Sequence, residues 1–229
     1  MRPLIVAIDG PAGAGKSTVS KLLARRLGLS FVDTGALYRT VALSARRQGI
    51  ATEDDAGLAA LLGRIGISFR ATGEDNRVFL DGEDVSAEIR TPEISLLASA
   101  VSARRVVREG LLGLQRRLAL ESPVGAVLEG RDIGTVVFPD ADLKFFLEAS
   151  PDVRARRRYE ELFQKGSDST LDAVLADQTK RDRDDASRAV APLKAAEDAV
   201  RVDSSSLPLS EVVQQLERVI RERLAARGS

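Results

Sequence analysis

The chain contains no histidine, no cysteine and no tryptophan, and only 4% of its 229 residues are aromatic. The first two absences exclude whole chemistries. No nucleophile–histidine triad can be built, no disulfide can form, and a zinc centre would find neither imidazole nor thiolate. Any metal must therefore be a hard cation held by oxygen. An excess of charge of one sign is also missing, since 34 basic and 34 acidic side chains give a formal net charge of zero. Without a global field, nothing draws the protein onto nucleic acid or an anionic membrane, and an anion has to be bound locally. Long apolar runs are absent as well. Leu4 to Ile8 is stopped by Asp9, too short for the core of a leader, and no run approaches the roughly 20 residues of a membrane span. The expectation is a soluble protein in a reducing, cytoplasmic setting, with no nucleic-acid or membrane partner.

What is present suits one sizeable core with an insertion: 44% of the residues are apolar, against a prior of roughly 100 to 200 residues per domain. The basic side chains are dominated by arginine, whose planar fork grips phosphates and carboxylates. Leu4 to Ile8 is continuously apolar, the pattern of a strand buried on both faces of a parallel sheet. A glycine-rich turn follows, then a helix through Val19, Leu22, Leu23 and Leu27 that stops at Gly28. A strand at Leu29 to Val32 and a helix through Leu37, Val41 and Leu43 continue the βαβ alternation. Between Thr52 and Pro92 the rhythm changes to a short helix and a hairpin, with strands at 67 to 71 and 78 to 82 and a turn at Thr72 to Asn76. Helices at 93 to 103 and 106 to 120 lead to strands at Val124 to Leu128, Leu143 to Leu147 and Ala199 to Val202. A helix opening at Pro151 breaks near Gly166 to Ser169, and the last helix, from Ser210, places Val212, Val213, Leu216, Val219, Ile220 and Leu224 on one face.

Gly10 to Ser17 reads GPAGAGKS and satisfies GxxxxGK[ST], after a buried strand and before a helix, as the motif requires. The glycines let successive N–H groups turn inward around phosphate oxygens, the helix adds its positive end, Lys16 neutralises the outer phosphates, and Ser17 offers a hydroxyl to Mg²⁺. The loop does not say where the terminal phosphate goes. No NKxD segment and no LSGGQ-like signature occurs, which argues against a GTP-dependent switch and an ABC-type ATPase. Arginines are plentiful on the other side: Arg39 after Asp33-Thr34-Gly35, Arg131 after a central strand, and Arg104, Arg105 and Arg108 at a helix start beside the single acid Glu109. That supply suits an acceptor that itself carries phosphate. Taken singly, each is more often a solvated surface group.

Five blocks, DGPAGAGKS (9–17), DTGALYR (33–39), DGEDVSAEIRTPE (81–93), EGRDIGTVVFPDA (129–141) and RDRDDASRAVAPL (181–193), resemble the bacterial cytidylate kinases, in that family's order and spacing. Thr34 stands where the family has Ser and keeps the hydroxyl; Glu129 stands for an Asp and keeps the charge. The resemblance implies an α/β P-loop NTPase fold with a five-stranded parallel sheet flanked by helices. It divides the chain into a core at about 1–35, 121–153 and 171–229, a nucleoside-monophosphate-binding insertion at about 36–120 and a small lid at about 154–170. It further implies Mg²⁺-dependent transfer of phosphate from ATP to CMP or dCMP by a monomer.

By similarity, ATP would be bound by Gly10, Pro11, Ala12, Gly13, Ala14, Gly15, Lys16, Ser17 and Thr18. Of the lid arginines Arg154, Arg156, Arg157 and Arg158, at least one would reach the donor phosphates, with Arg157 and Arg158 the named candidates. Arg39 and Arg131 would hold the acceptor phosphate and, with Lys16, carry the catalysis. Thr34, Arg108, Asp132 and Arg188 would line the pyrimidine pocket; Ser99, Arg181 and Asp185 would touch the sugar. Cytosine donates from its exocyclic amine and accepts at N3 and O2, which that pocket complements, whereas uracil would leave a polar group unmatched at about 1 to 3 kcal/mol each. Arg181, Asp185 and Arg188 fall on one helical face, a spacing that equally suits an exposed helix stitched by ion pairs. Two alternatives stay open: a kinase for another phosphorylated or acidic acceptor such as UMP, AMP or shikimate, and an ATP-binding regulatory protein without transfer chemistry.

Overall fold

The structure, a computed structural model, describes residues 2–72, 75–164 and 166–227. The chain divides into two compact units, one formed by the residues up to Val32 with those from Ala119 onward, the other by Asp33–Leu118.

The first unit is built on strands β1 (Leu4–Asp9), β2 (Ser30–Asp33), β6 (Gly125–Gly130), β7 (Leu143–Glu148) and β8 (Val200–Asp203), ordered β2-β6-β1-β7-β8. Every residue of β1 and β6 is buried, so their unbroken apolar runs reflect a sheet covered on both faces. The register pairs Asp9 with Gly130 and Phe146, and Glu148 with Asp203, all in parallel. The chain therefore leaves the ends of β1, β6, β7 and β8 along one carboxyl edge, where ligands of open α/β sheets bind. Helices α1 (Lys16–Leu27) and α8 (Leu209–Arg227) contribute Val19, Leu23, Val213 and Leu216 to the core that Ile8 and Phe145 fill from the sheet. Each such buried side chain stabilises the unit by roughly 1.5 to 3 kcal/mol. Leu224, expected on the packed face of α8, is exposed, and the buried face of the helix ends at Ile220. Helices α6 (Pro151–Gln164) and α7 (Leu171–Ser187) complete this unit.

The second unit holds α2 (Thr34–Arg47), α3 (Asp55–Leu62), a three-stranded antiparallel sheet β3 (Ile67–Thr72), β4 (Asp75–Leu80) and β5 (Glu83–Asp84), α4 (Pro92–Ser102) and most of α5 (Arg105–Leu120). Strand β5, two residues long, is too short for a periodicity to betray it. Residues 73 and 74, on which the expected hairpin turn falls, lie outside the described residues. Leu37, Leu58, Leu80, Ile94 and Val107 share a core of this unit's own. Asp33, Asp54, Thr91 and Thr170 cap α2, α3, α4 and α7 through side-chain oxygens. The start of α1 has no such cap.

Candidate active site

The phosphate loop occupies residues 10–15, between β1 and α1. A Cβ on Gly10 would lie 1.9 Å from the carbonyl oxygen of Leu147, so only glycine allows the loop to leave β1 against β7. Gly15 adopts a left-handed conformation (φ 88°) as the uncapped N-terminal residue of α1, and its Cβ side is open. Ser17 and Thr18 are exposed on the first helical turn, while Lys16 is buried. Among the described residues no side chain caps the start of α1, so its first N–H groups and its dipole remain available to an anion.

Lys16 donates to Pro11 O at 2.6 Å. Burial, and next to it the Arg131 guanidinium, hold its ammonium well below the usual lysine range; Glu129 and Asp9 pull the other way. The Asp9 carboxylate accepts from Ile133 N (2.8 Å) and Gly134 N (2.7 Å). These two bonds tie the end of β1 to the π-helical turn Ile133–Val137 that follows β6. Burial pushes the Asp9 carboxyl up to about 6, against the two amides that lower it. The turn carries Arg131 and the buried Asp132 at its entrance. It fits because a Cβ at Gly134 would crowd Asp9 and Lys144.

Asp185, on α7, receives Arg131 Nε at 3.0 Å on one oxygen and Arg188 Nη2 on the other. Burial raises its carboxyl, but Arg131, Arg188 and Arg181 together outweigh that and hold it below the ordinary value. Arg181 and Asp185 lie one turn apart on α7, whereas Arg188, expected on the same helical face, is the first residue past the helix end with extended backbone and reaches back to Asp185 from there; all three are in the same unit as Arg131 and Asp132.

In the second unit, Asp33 caps α2 through Ala36 N (2.9 Å) and pairs its other oxygen with Arg39 Nη2 (2.8 Å). Thr34 is buried and Ser99 half-buried. Of the three arginines crowding the start of α5, Arg104 pairs with Asp55 and Arg105 with Glu109 on the surface. Arg108 alone is buried, donating to Ser102 O at 2.8 Å with its guanidinium 5.4 Å from the centre of the Tyr38 ring.

A family profile described as Cytidylate kinase matches residues 6–222. The chain belongs to the cytidylate kinase family. It is 58% identical to the "Cytidylate kinase" of Geobacter sp. (strain M21) over 222 residues, 97% of this chain and 94% of the relative. It is 56% identical to that of Geobacter sulfurreducens over the same shares of the two chains. Among solved structures, a gluconokinase from Sinorhizobium meliloti 1021 superposes over 100% of both chains with a TM-score of 0.50 at 18% identity, which speaks for the fold. The five-stranded parallel sheet and the small antiparallel insertion agree with the sequence expectation.

The arginines of α6 part company in the structure. Arg154 is buried and donates to Ala12 O in the phosphate loop at 3.0 Å, and it pairs with Asp182 at 2.6 Å. Arg157 bonds Ser204, whose hydroxyl is 3.2 Å from Ala14 O, and Arg158 pairs with Glu161 on the surface. The sequence marks Arg154 only as one of four lid arginines, without singling it out, and gives no sign of Gln178, Asp182 and Ser204 around it. The one available signal was position: Arg154 lies in the first turn after Pro151, beside the sheet edge. Among the described residues no group of three or more acidic side chains could cage a metal, and no helix is long and apolar enough to cross a membrane.

Proposed function

We propose that the protein transfers the γ-phosphoryl group of ATP in line to the 5′-phosphate of CMP or dCMP, giving CDP or dCDP and ADP. The bond from Pγ to the β,γ-bridging oxygen breaks, its electrons leave on ADP, and an acceptor phosphate oxygen forms the new bond. That oxygen is already a nucleophile at neutral pH, so no general base is needed and the protein's work is positioning and charge. The observation that carries this reading is that the Asp9 carboxylate, where β1 enters the phosphate loop, accepts from Ile133 N and Gly134 N, which ties the loop carrying the buried Lys16 to the turn that follows Arg131. Cations gathered at one strand edge in this way are a liability in an empty fold and an asset around anions.

On the donor side we assign the loop Gly10 to Gly15, through its N–H groups other than at Pro11, which has none, together with Lys16, Ser17 and Thr18, and Arg157 and Arg158 from α6 as arginines of a lid at about 154–170. Mg²⁺ suits this site. The exposed Ser17 hydroxyl would hold it with phosphate oxygens of the nucleotide, and a cation shared in that way needs no carboxylate cage. When bound, the ion offsets charge between the donor phosphates. On the acceptor side we assign Arg39 and Arg131 to the phosphate, Thr34, Arg108, Asp132 and Arg188 to the base, and Ser99, Arg181 and Asp185 to the sugar. Asp185 holds Arg131 and Arg188 by both oxygens before substrate arrives, so two of these guanidinium groups are ordered in advance. A cytoplasmic setting and a monomeric state complete the proposal.

The test is a coupled assay of ADP release with CMP, dCMP, UMP, AMP and no acceptor. CMP is expected to exceed UMP at least tenfold in kcat/KM, as one unmatched buried polar group predicts, and the acceptor-free rate to be far lower. Equal rates with and without acceptor, or a preference for AMP, would overturn the assignment.

A further inference from the structure

Three carbonyl groups of the phosphate loop are held by side chains. Lys16 Nζ donates to Pro11 O at 2.6 Å, Arg154 Nη1 to Ala12 O at 3.0 Å, and Ser204 Oγ to Ala14 O at 3.2 Å. A trans peptide is planar, and its C=O and N–H point in opposite directions. Fixing the Ala12 carbonyl on one side therefore fixes the Gly13 N–H on the other. Holding the Ala14 carbonyl does the same for the Gly15 N–H. Among the described residues neither amide donates to another protein group. Both are donors left available to an incoming acceptor such as phosphate.

Each holder is itself held. The Arg154 side chain, 5% exposed, also donates through Nε to Ala149 O at 2.9 Å and pairs with Asp182 at 2.6 Å. Gln178 Nε2 donates to the Arg154 carbonyl at 3.3 Å, which closes the brace between α6 and α7. The Ser204 hydroxyl has one proton and two acceptors in range, Ala14 O and Glu148 O, each at 3.2 Å. Glu148 O already has one lone pair engaged by the Ser204 N–H at 2.8 Å, which favours Ala14 O as the acceptor of the hydroxyl proton. Arg157 donates to the Ser204 oxygens Oγ (3.2 Å) and O (2.7 Å), so the serine cannot swing away.

We infer that Arg154 and Ser204 are positioning residues of the donor site. They turn the Ala12 and Ala14 carbonyls away from the ligand so that the Gly13 and Gly15 amides stand preset for the donor phosphates. Neither residue touches substrate; both act through a peptide plane. The inference deepens the reading of this loop as the ATP site and rests on it. It also gives Arg157 a role that does not need contact with the nucleotide.

The experiment measures ATP affinity by calorimetry without acceptor, KM for ATP and for CMP, and thermal midpoints, in the parent chain and in Ser204→Ala, Arg154→Lys and Arg154→Met. Loss of one neutral hydrogen bond predicts about fivefold weaker ATP binding for Ser204→Ala, and loss of the charged donor about tenfold or more for Arg154→Met. Arg154→Lys, which restores one donor, is expected to recover part of that loss, and KM for CMP to change less than twofold throughout. A role in packing alone would lower the thermal midpoint and leave ATP affinity unchanged. ATP affinity within twofold of the parent in both Ser204→Ala and Arg154→Lys overturns the inference, whether or not Arg154→Met folds. A parent that binds ATP and makes no CDP ends the acceptor assignment, while the variants' affinities still decide the role of Arg154 and Ser204. A parent that binds no ATP ends both.

Discussion

Two aspartates each hold an arginine assigned to the acceptor phosphate, and they hold it differently. Asp185 has a side chain only 1% exposed, with Arg131 on one oxygen and Arg188 on the other. Asp33 has a side chain 19% exposed, spends one oxygen on the cap of α2, and pairs with an Arg39 that is itself 24% exposed. The first carboxylate cannot release a partner without leaving a buried charge uncompensated, which is strongly unfavourable. The second can surrender Arg39 to a phosphate and keep its cap, because the cap uses its other oxygen and water reaches this carboxylate more than it reaches Asp185. Arg131 is therefore a fixed fixture of its unit, and Arg39 is the guanidinium that can be handed over to ligand.

The largest way to break this comparison is Asp185→Asn. It is expected to destabilise the protein by about 3 to 5 kcal/mol at pH 7, as removal of one member of a buried ion pair does, measured by urea unfolding. Because the Asp185 carboxyl is held below its ordinary value of 3.8, its contribution is complete above that pH and is lost as pH falls through the lower folded value. The gap between variant and parent is thus expected to narrow in acid. A gap that widened there would contradict the arrangement. Next in size, Lys16→Ala is expected to lower kcat by about 100-fold to 1,000-fold, the usual cost of one preorganised charge-stabilising donor. That loss is expected with any acceptor, since Lys16 belongs to the donor loop.

Arg188→Met is expected to raise KM for CMP by roughly 10-fold to 100-fold, the worth of a hydrogen bond to a charged group, and to spare ATP affinity. Matching losses in both substrates would mean that Arg188 serves only Asp185. The smallest effect is expected for Asp33→Ala, about 1 kcal/mol of stability from the lost helix cap. If that variant proved as damaging as Asp185→Asn, the distinction between a fixed and a transferable arginine would fall.

Much of the first unit was legible from sequence. The strand at Leu4 reads as an unbroken apolar run because both faces are covered, and the phosphate motif is contiguous, so its spacing carries its geometry. The Arg181, Asp185, Arg188 cluster was legible as a spacing, but its meaning was not: the same spacing serves an exposed ion-paired helix, and only the burial of Asp185 against Arg131 separates the two. Of Arg104, Arg105 and Arg108, sequence could not say which turns inward. Resemblance named Arg108, and the structure pairs the other two with surface acids. The hold of Arg154 and Ser204 on the loop carbonyls is not legible in the sequence because their partners lie 142 and 190 residues away, and a hydrogen bond to a backbone carbonyl leaves no mark on the identity of the residue that accepts it.

The order of strands and helices, the phosphate-binding loop and the family were written in the amino-acid sequence, because local periodicity and contiguous motifs depend on near neighbours. Which arginines are buried, which carboxylate holds them, and which side chains orient the loop amides were decided by tertiary structure alone. Burial and hydrogen bonding join residues from strand ends that meet only once the parallel sheet has brought its carboxyl edge together.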